Sequence, residues 1–153
     1  MPLELKKQLI TQLVESSRFL RNYMDLRAKG RGTTRAQWIV LFRLREQEGL
    51  SQVDLADVLE LQPISLVRLL DRLVERGLVE RRHDPRDRRT NRLFLTARGR
   101  RLADDLDSLR DTIATDVLRD VPAAAIETSL KTLNDIKARI KTFAEPPGDI
   151  AEK

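Results

Sequence analysis

The chain has 153 residues, which is the size of a single domain with a modest core. It contains no cysteine, which excludes disulfides, thiol-based redox sensing and cysteine metal sites. Its formal net charge is +5. It has no apolar run of the roughly 18 residues that a membrane span needs, and its amino terminus has no signal-peptide pattern. We therefore expect a soluble, cytoplasmic protein with no membrane association.

The first two helices are predicted from apolar spacing and from capping residues. A helical pattern runs over about residues 3–28 and ends at the glycines of residues 30–32. Thr34 begins a second helix, with Gln37 three residues later as in a capping box. The unbroken apolar run of residues 38–42 indicates that this second helix belongs to the core.

The next two helices have the pattern of a helix-turn-helix. Ser51 caps a short helix, Asp54 completes an S-x-x-D signature, and Pro63 sets the first turn of a longer helix. The predicted buried face of the longer helix carries Leu66, Leu69, Leu70 and Leu73. The opposite face, free to contact another molecule, carries Ser65, Arg68, Arg72 and Glu75.

Two short strands around an arginine-rich loop are predicted next. Residues 76–101 contain ten arginines and three acidic residues, which is a local charge of +7. Charge concentrated in this way suits a polyanion. The alternative is a solvated, solubilising face, which we would favour for an isolated arginine run. Because this run follows a helix-turn-helix pattern, we predict a nucleic-acid contact here.

Two long helices are predicted after the loop. Thr96 caps the first, which ends near residues 121–122, and the second stops before the prolines at 146–147. The winged segment has its own predicted core of Trp38, Leu41, Leu55, Leu66 and Leu70. The apolar faces of the first helix and the last two are therefore surplus, and a second copy of the chain is the simplest partner for them. The alternative is that these helices pack on each other within a monomer.

Three motifs in the sequence resemble the MarR family of bacterial transcription regulators. They are SLVRLLDRLVERGLVER (residues 65–81), DPRDRR (84–89) and LTARG (95–99). The segment QPISLVR (62–68) is similar to the SlyA branch of that family. The resemblance spans about residues 5–143. It implies a mainly α fold with a small β-wing, in which a winged helix-turn-helix is joined to long terminal helices that form a dimerisation region.

The resemblance also divides the chain into functional parts. It implies a single domain over residues 1–153, with dimerisation helices at about 1–30 and 100–145 and the DNA-binding lobe at about 34–99. The tail PPGDIAEK, residues 146–153, is predicted to be disordered. One departure lies in the turn of the helix-turn-helix, where family members often have glycine at the position of Glu60. Glutamate in a left-handed turn costs about 1 kcal/mol, so we expect a slightly reshaped turn.

The predicted function is that of a sequence-specific regulator, a homodimeric repressor on an inverted-repeat DNA operator. A helix in the major groove reads base edges, and a wing arginine enters a minor groove. Because side chains alternate in an extended wing, we expect an Asp87–Arg89 ion pair to brace the loop. We favour Arg88 over Arg89 for the minor groove. The predicted DNA-binding residues are Gln62, Pro63, Ile64, Ser65, Arg68, Arg72, Arg82, Arg86, Asp87, Arg88 and Arg89.

Two alternatives remain open for this face. Ile64 either contacts a thymine methyl group or packs on the preceding helix. The whole chain is either a specific regulator or an architectural protein that uses the basic wing to coat DNA, or to engage an acidic protein, without sequence preference.

The family resemblance further implies a small aromatic or phenolic acid as effector, bound between the dimer helices and the winged lobe. The candidate ligand residues, which offer cations and aromatic walls, are Arg18, Arg21, Tyr23 and Trp38. The alternative is that Trp38 is simply core and that the arginines form a solvated face.

Enzymatic chemistry, a cofactor and a metal site are not predicted. His83, the single histidine, lies beside the arginine loop and is interpreted as a phosphate neighbour or a solvated residue rather than a catalytic base. No histidine and carboxylate spacing suits a metal ion. Four acidic residues after the loop are interpreted as surface residues: Asp104, Asp105, Asp107 and Asp111.

Overall fold

The computed structural model describes residues 2–144, so the predicted disordered tail at 146–153 lies outside the described residues. The helices are α1 (Leu3–Lys29), α2 (Arg35–Glu46), α3 (Gln52–Leu59), α4 (Pro63–Glu75), α5 (Ala97–Val117) and α6 (Ala123–Ala144). The strands are β1 (Val79–His83) and β2 (Asn91–Leu95), which pair antiparallel. The predicted fold class, mainly α with a small β-wing, is confirmed. Among the described residues, no helix is both long enough and apolar enough to cross a bilayer.

The chain forms two compact units, one up to Ile113 and one from Ala114 onward. The first unit contains the helix-turn-helix, the wing, α1 and most of α5. The second contains the end of α5 and the whole of α6. The division predicted from the sequence, into dimerisation helices and a DNA-binding lobe, concerns function and stays a prediction.

Three of the predicted capping residues act as helix caps. The Oγ atoms of Thr34, Ser51 and Thr96 accept hydrogen bonds from the backbone N–H groups three residues later, at 3.1, 3.0 and 3.0 Å. These bonds satisfy N–H groups that have no partner inside the helix, which fixes where α2, α3 and α5 begin.

The second half of the capping box at α2 was predicted wrongly. The buried side chain of Gln37 does not turn back to the N–H of Thr34. Its Oε1 accepts a hydrogen bond from the Thr33 hydroxyl at 2.9 Å and another from Arg76 at 2.8 Å. Gln37 therefore joins the first turn of α2 to Arg76, the residue that follows α4.

Leucines of α2, α3 and α4 meet in one core, as predicted. Trp38 is 4% exposed, and the other four predicted core residues are at most 1% exposed. Leu93 and Leu95 of β2 close this core from the wing side, and α5 adds a row at helical spacing. That row is Ala103, Leu106, Leu109 and Ile113. Burial of this apolar surface is the main force that holds α4 in place.

Three ion pairs attach α5 to α2 and to the loop that precedes α2. Arg45 of α2 binds Asp104 at 2.7 Å and Asp107 at 3.0 Å, and Arg31 binds Asp105 at 2.6 Å. The hydrogen bond to Asp107, followed by that to Asp104, raises the pKa of the Arg45 guanidinium against the opposing effect of its partial burial. These aspartates lie near the surface as expected, and in addition they anchor a helix, which the sequence interpretation missed.

The turn between α3 and α4 is not reshaped, contrary to expectation. Glu60 itself adopts the left-handed conformation, with φ 53° and ψ 38°. Its N–H and that of Leu61 bond back to the carbonyls of α3, so the turn keeps its hydrogen bonds. The local strain of a side chain at this position, about 1 kcal/mol, is therefore borne by the folded state.

Gly99 is needed because α5 crosses the chain just before β1. A Cβ atom at this position would lie 1.9 Å from the carbonyl oxygen of Leu78. Real atoms do not approach so closely, so any side chain would push the helix away from the wing. This close approach explains why a glycine stands in the first turn of α5.

Candidate nucleic-acid interface

The exposed face of α4 is the centre of the candidate interface. Leu66, Leu70 and Leu73 are buried, so the residues on the opposite side of the helix project outward. All the predicted residues of this face are exposed: Gln62, Pro63, Ile64, Ser65, Arg68, Arg72 and Glu75. Ile64 is 67% exposed, which argues against the alternative that it packs on the preceding helix. The wide major groove of DNA admits a helix with such a face.

Arg81 of β1 locks α3, α4 and the wing together. Its Nε donates to Gln52 Oε1 at 2.8 Å, and one of its terminal nitrogens binds Asp71 Oδ1 at 2.6 Å. Because this ion pair neutralises Asp71, an acidic side chain on the outward side of α4 no longer opposes the approach of a polyanion. Sequence analysis missed this role, since it counted Arg81 only as part of a basic run.

The wing is held by a clasp centred on Arg92, which was not predicted. Arg92 Nε donates to Asp84 Oδ2 at 2.8 Å, and a terminal nitrogen donates to the carbonyl oxygen of Gly49 at 2.8 Å. Backbone bonds also join β2 to the loop before α3, from Gly49 N–H to the Leu93 carbonyl and from Leu93 N–H to the Leu50 carbonyl. The wing is thereby fixed to the helix-turn-helix.

Two aspartates shape the wing loop by binding backbone N–H groups two residues ahead. Asp84 Oδ1 accepts from Arg86 N–H at 2.9 Å, and Asp87 Oδ1 accepts from Arg89 N–H at 3.0 Å. The predicted Asp87–Arg89 ion pair is therefore wrong, because the carboxylate binds the backbone of Arg89. The error came from treating these residues as an extended strand, whereas they form a pair of Asx-turns.

The loop leaves three guanidinium groups exposed at its tip. Arg86, Arg88 and Arg89, like Arg68 and Arg72 on α4, form no ion pair within residues 2–144, although the charge of Arg86 helps to lower the pKa of the Asp84 carboxyl. These five side chains form what we call the open arginine set. The other predicted wing contact, Arg82, is paired with Glu80 and lies over the Phe94 ring at 4.2 Å.

His83 also takes part in the loop. Its Nδ1 lies 3.1 Å from the carbonyl oxygen of Arg88, and its side chain is exposed. The ring therefore contacts the backbone of the second Asx-turn, a role that the sequence interpretation did not assign.

The predicted ligand residues are not brought together. Trp38 lines a small apolar cleft of about 120 Å³. Arg18 and Arg21 lie exposed on α1, with the Arg18 guanidinium 4.9 Å from the Phe19 ring, and the Tyr23 hydroxyl accepts a hydrogen bond from Arg27 at 2.7 Å. None of these three lines the cleft. Its lining consists of Met24, Trp38, Ile39, Phe42, Arg43 and Arg110.

Comparison with known proteins shows a resemblance to one family. The model of the MarR family matches residues 33–90, which is most of the helix-turn-helix and wing. A MarR-family transcriptional regulator from Rhodococcus sp. RHA1 is 29% identical, with a TM-score of 0.77 over 88% of this chain and 96% of that chain.

Two further solved structures share the fold. The transcriptional regulator SlyA is 19% identical, with a TM-score of 0.78 over 86% of this chain and 93% of that chain. MepR from S. aureus, solved in complex with DNA, is 22% identical, with a TM-score of 0.77 over 85% of this chain and 96% of that chain. The family match and the Rhodococcus regulator show that this chain resembles MarR-family transcription regulators, and the likenesses to SlyA and MepR show that it shares their winged-helix fold.

The hydrogen bonds of the Asp84 carboxylate predict how the stability of the protein depends on pH. The hydrogen bond from Arg86 N–H, and then that from Arg92, lowers the pKa of the Asp84 carboxyl below its ordinary value of 3.8. The stabilisation is therefore complete above that value and is lost as the pH falls through the lowered pKa of the folded state. Asp84→Asn should reduce the free energy of unfolding at pH 7, and its difference from wild type should shrink below about pH 4.

Urea unfolding of both proteins from pH 2.5 to 7 measures this difference. Asp135→Asn on α6 is the control, because Asp135 is exposed and has no ion pair within residues 2–144. A constant gap between wild type and Asp84→Asn over the whole range would contradict the proposed electrostatic role of the clasp.

Proposed function

We propose that this chain is a MarR-family regulator, a sequence-specific repressor that binds an inverted-repeat operator as a homodimer and is released by a small aromatic acid. The observation that carries the first part is the open arginine set, divided between an exposed helix face and a wing tip of the same rigid unit. A helix face with mixed polar, basic and apolar groups suits base edges, whereas a basic loop suits phosphates or a narrow minor groove.

The second candidate function is DNA coating without sequence preference. The same arginines support it, since phosphate contacts alone give non-specific affinity. The two functions differ in what α4 contributes. In a specific regulator, removal of an α4 side chain weakens binding to one sequence, and in a coating protein it weakens binding to every sequence equally.

Arg68 and Arg88 test this difference. Arg68→Ala should cost about 1–3 kcal/mol on a duplex selected from random DNA and much less on scrambled DNA, because Arg68 reads a base edge. Arg88→Ala should weaken both complexes and reduce the slope of log affinity against log salt by roughly one unit for each phosphate that the variant no longer binds. Fluorescence anisotropy over a salt series measures both effects.

Arg101→Ala is the matched control, since it removes an equally exposed arginine outside α4 and the wing. It should change neither the affinity for selected DNA nor the salt slope appreciably. Equal losses of affinity for Arg68→Ala on selected and scrambled DNA would favour the coating function. If Arg89→Ala and not Arg88→Ala lowered the slope, Arg89 would be the residue that enters the groove.

The homodimer is supported by apolar surfaces on two helices, each in its own unit. On α1, Leu3, Ile10 and Val14 are more than half exposed. On α6, where no residue is buried, Leu130, Ile140 and Phe143 are more than half exposed. Helices with this much exposed apolar surface are typical of protein–protein contacts. A two-fold dimer also presents two recognition helices to successive major grooves about 10 base pairs apart.

Charges placed on the apolar face of α6 test the dimer. Leu130→Glu combined with Ile140→Glu should leave the monomer folded, because both side chains are exposed, and should prevent dimerisation, because a carboxylate would be buried at the contact. Sedimentation velocity at micromolar concentration measures the association state. Ala138→Glu, on the opposite side of α6, should leave the dimer intact. A wild-type chain that sediments as a monomer would refute the homodimer.

The effector part of the proposal is supported by the chemistry of the cleft that Trp38 lines. Its walls are apolar, and its two charged groups are the guanidiniums of Arg43 and Arg110. Arg110 lies over the Phe42 ring at 4.8 Å, and the buried Nε of Arg43 has no hydrogen-bond acceptor within residues 2–144. Arg43 also pairs with Glu46 at 3.5 Å, and an apolar cleft that presents two guanidinium groups suits a small aromatic carboxylate.

Variants of Arg110 and Arg18 test whether the ligand binds in this cleft or at the site predicted from the sequence. Arg110→Gln should raise the concentration of 1-naphthoate needed for half-release of DNA by about tenfold, whereas Arg18→Ala should leave it unchanged because Arg18 does not line the cleft. Neither change should alter DNA affinity without ligand. DNA release followed by anisotropy, with 1-naphthalenemethanol as the neutral control, measures the effect. The opposite result would favour Arg18 as the ligand residue.

A further inference from the structure

Ile64 is the more exposed of the two large apolar side chains, Ile64 and Val67, that α4 leaves accessible. Ile64 is the second residue of α4 and is 67% exposed. Since an α-helix turns about 100° per residue, Ile64 and Arg68 lie about 40° apart on the side opposite the buried Leu66 and Leu70. Ile64 therefore shares its stripe with a member of the open arginine set.

The exposed Ile64 side chain contributes little to the stability of the free protein. A β-branched side chain has a lower helix propensity than the straight-chain residues common on helix surfaces. Apolar side chains scattered over a surface need no special account. Ile64, however, lies in the first turn of the helix that reads DNA, and the amino-terminal residues of such a helix are those that approach base edges.

The edges of the bases offer one apolar group in the major groove, the C5-methyl of thymine. We propose that Ile64 is a specificity-determining residue that reads this methyl group in each half of the operator. The inference rests on the proposed sequence-specific function. The contact needs no hydrogen bond and gives Ile64 the burial that it lacks in the free protein.

The distance between Ile64 and Arg68 along α4 predicts where the thymine lies in the half-site. Four residues of helix rise about 6 Å from Ile64 to Arg68, which corresponds to roughly two base-pair steps of 3.4 Å. Arginine binds guanine O6 and N7 with two hydrogen bonds. The recognised half-site should therefore contain a thymine and a guanine within about two base pairs of each other.

The test removes the methyl group from the DNA and the side chain from the protein. The operator is first selected from random duplexes with the wild-type full chain. Each thymine is then replaced by uracil, one position at a time in both half-sites, and the Kd is measured at one salt concentration. We expect one position at which uracil weakens wild-type binding about fourfold per half-site, the factor that burial of one CH₂-sized group contributes.

The Ile64→Ala variant completes a double-mutant cycle with the uracil duplex. It should bind the thymine operator about as weakly as wild type binds the uracil operator, and uracil should weaken it no further. Ile64→Val should keep part of the discrimination. Val58→Ala, which truncates an exposed residue of α3, should keep all of it. Thermal unfolding of Ile64→Ala should match wild type because the side chain is exposed.

The outcomes distinguish the inference from the function on which it rests. Specific binding that uracil weakens at no position, or equally in wild type and Ile64→Ala, would overturn the thymine contact and leave sequence-specific recognition intact. If selection enriched no sequence over random DNA, the proposed function would fail, and the thymine contact would fail with it.

Discussion

The Arg92 guanidinium, together with Arg81 and the backbone bonds of β2, ties the wing to the helix-turn-helix, and the position of the wing arginines depends on these contacts. A two-stranded hairpin is only marginally stable alone. Here β2 is bound on one side to β1 and on the other to the loop that precedes α3, while Arg92 joins the Asp84 carboxylate to the Gly49 carbonyl. The wing tip and the recognition helix therefore form one rigid surface, which two separate elements in contact with DNA would require.

The contacts that each arginine makes within the protein, rather than the number of arginines, determine which charges are available to a polyanion. Six of the ten arginines between residues 76 and 101 bind acidic, amide, aromatic or carbonyl groups of the protein: Arg76, Arg81, Arg82, Arg92, Arg98 and Arg100. Of the remaining four, three lie at the wing tip. The same residue type can serve two purposes, because a guanidinium group can form directed internal bonds or, where it is exposed, bind a phosphate. A local charge of +7 therefore overstates the positive charge that this surface offers to a polyanion.

The sequence predicted the helices and the core well, and it predicted contacts between distant residues poorly. Caps such as Ser51 involve residues three positions apart, so their pattern is visible in the sequence. The wing loop was also readable, since Asp84 and Asp87 each stand two residues before an arginine, as in an Asx-turn, but the assumption of an extended strand concealed it. Arg43 of α2 and Arg110 of α5 line the same cleft although they are far apart in the sequence, and no local sequence pattern predicts this.

The same α2 connects the candidate cleft to the recognition helix. Trp38 and Phe42 line the cleft, and Gln37, the neighbour of Trp38, binds Arg76 directly after α4 at a distance of 2.8 Å. Gln37 is buried and Arg76 is half-buried, so this bond is partly shielded from water. Packed cores shift as units rather than deform locally. A ligand that displaces Trp38 would therefore move the first turn of α2, and with it the end of the helix that carries Arg68 and Arg72.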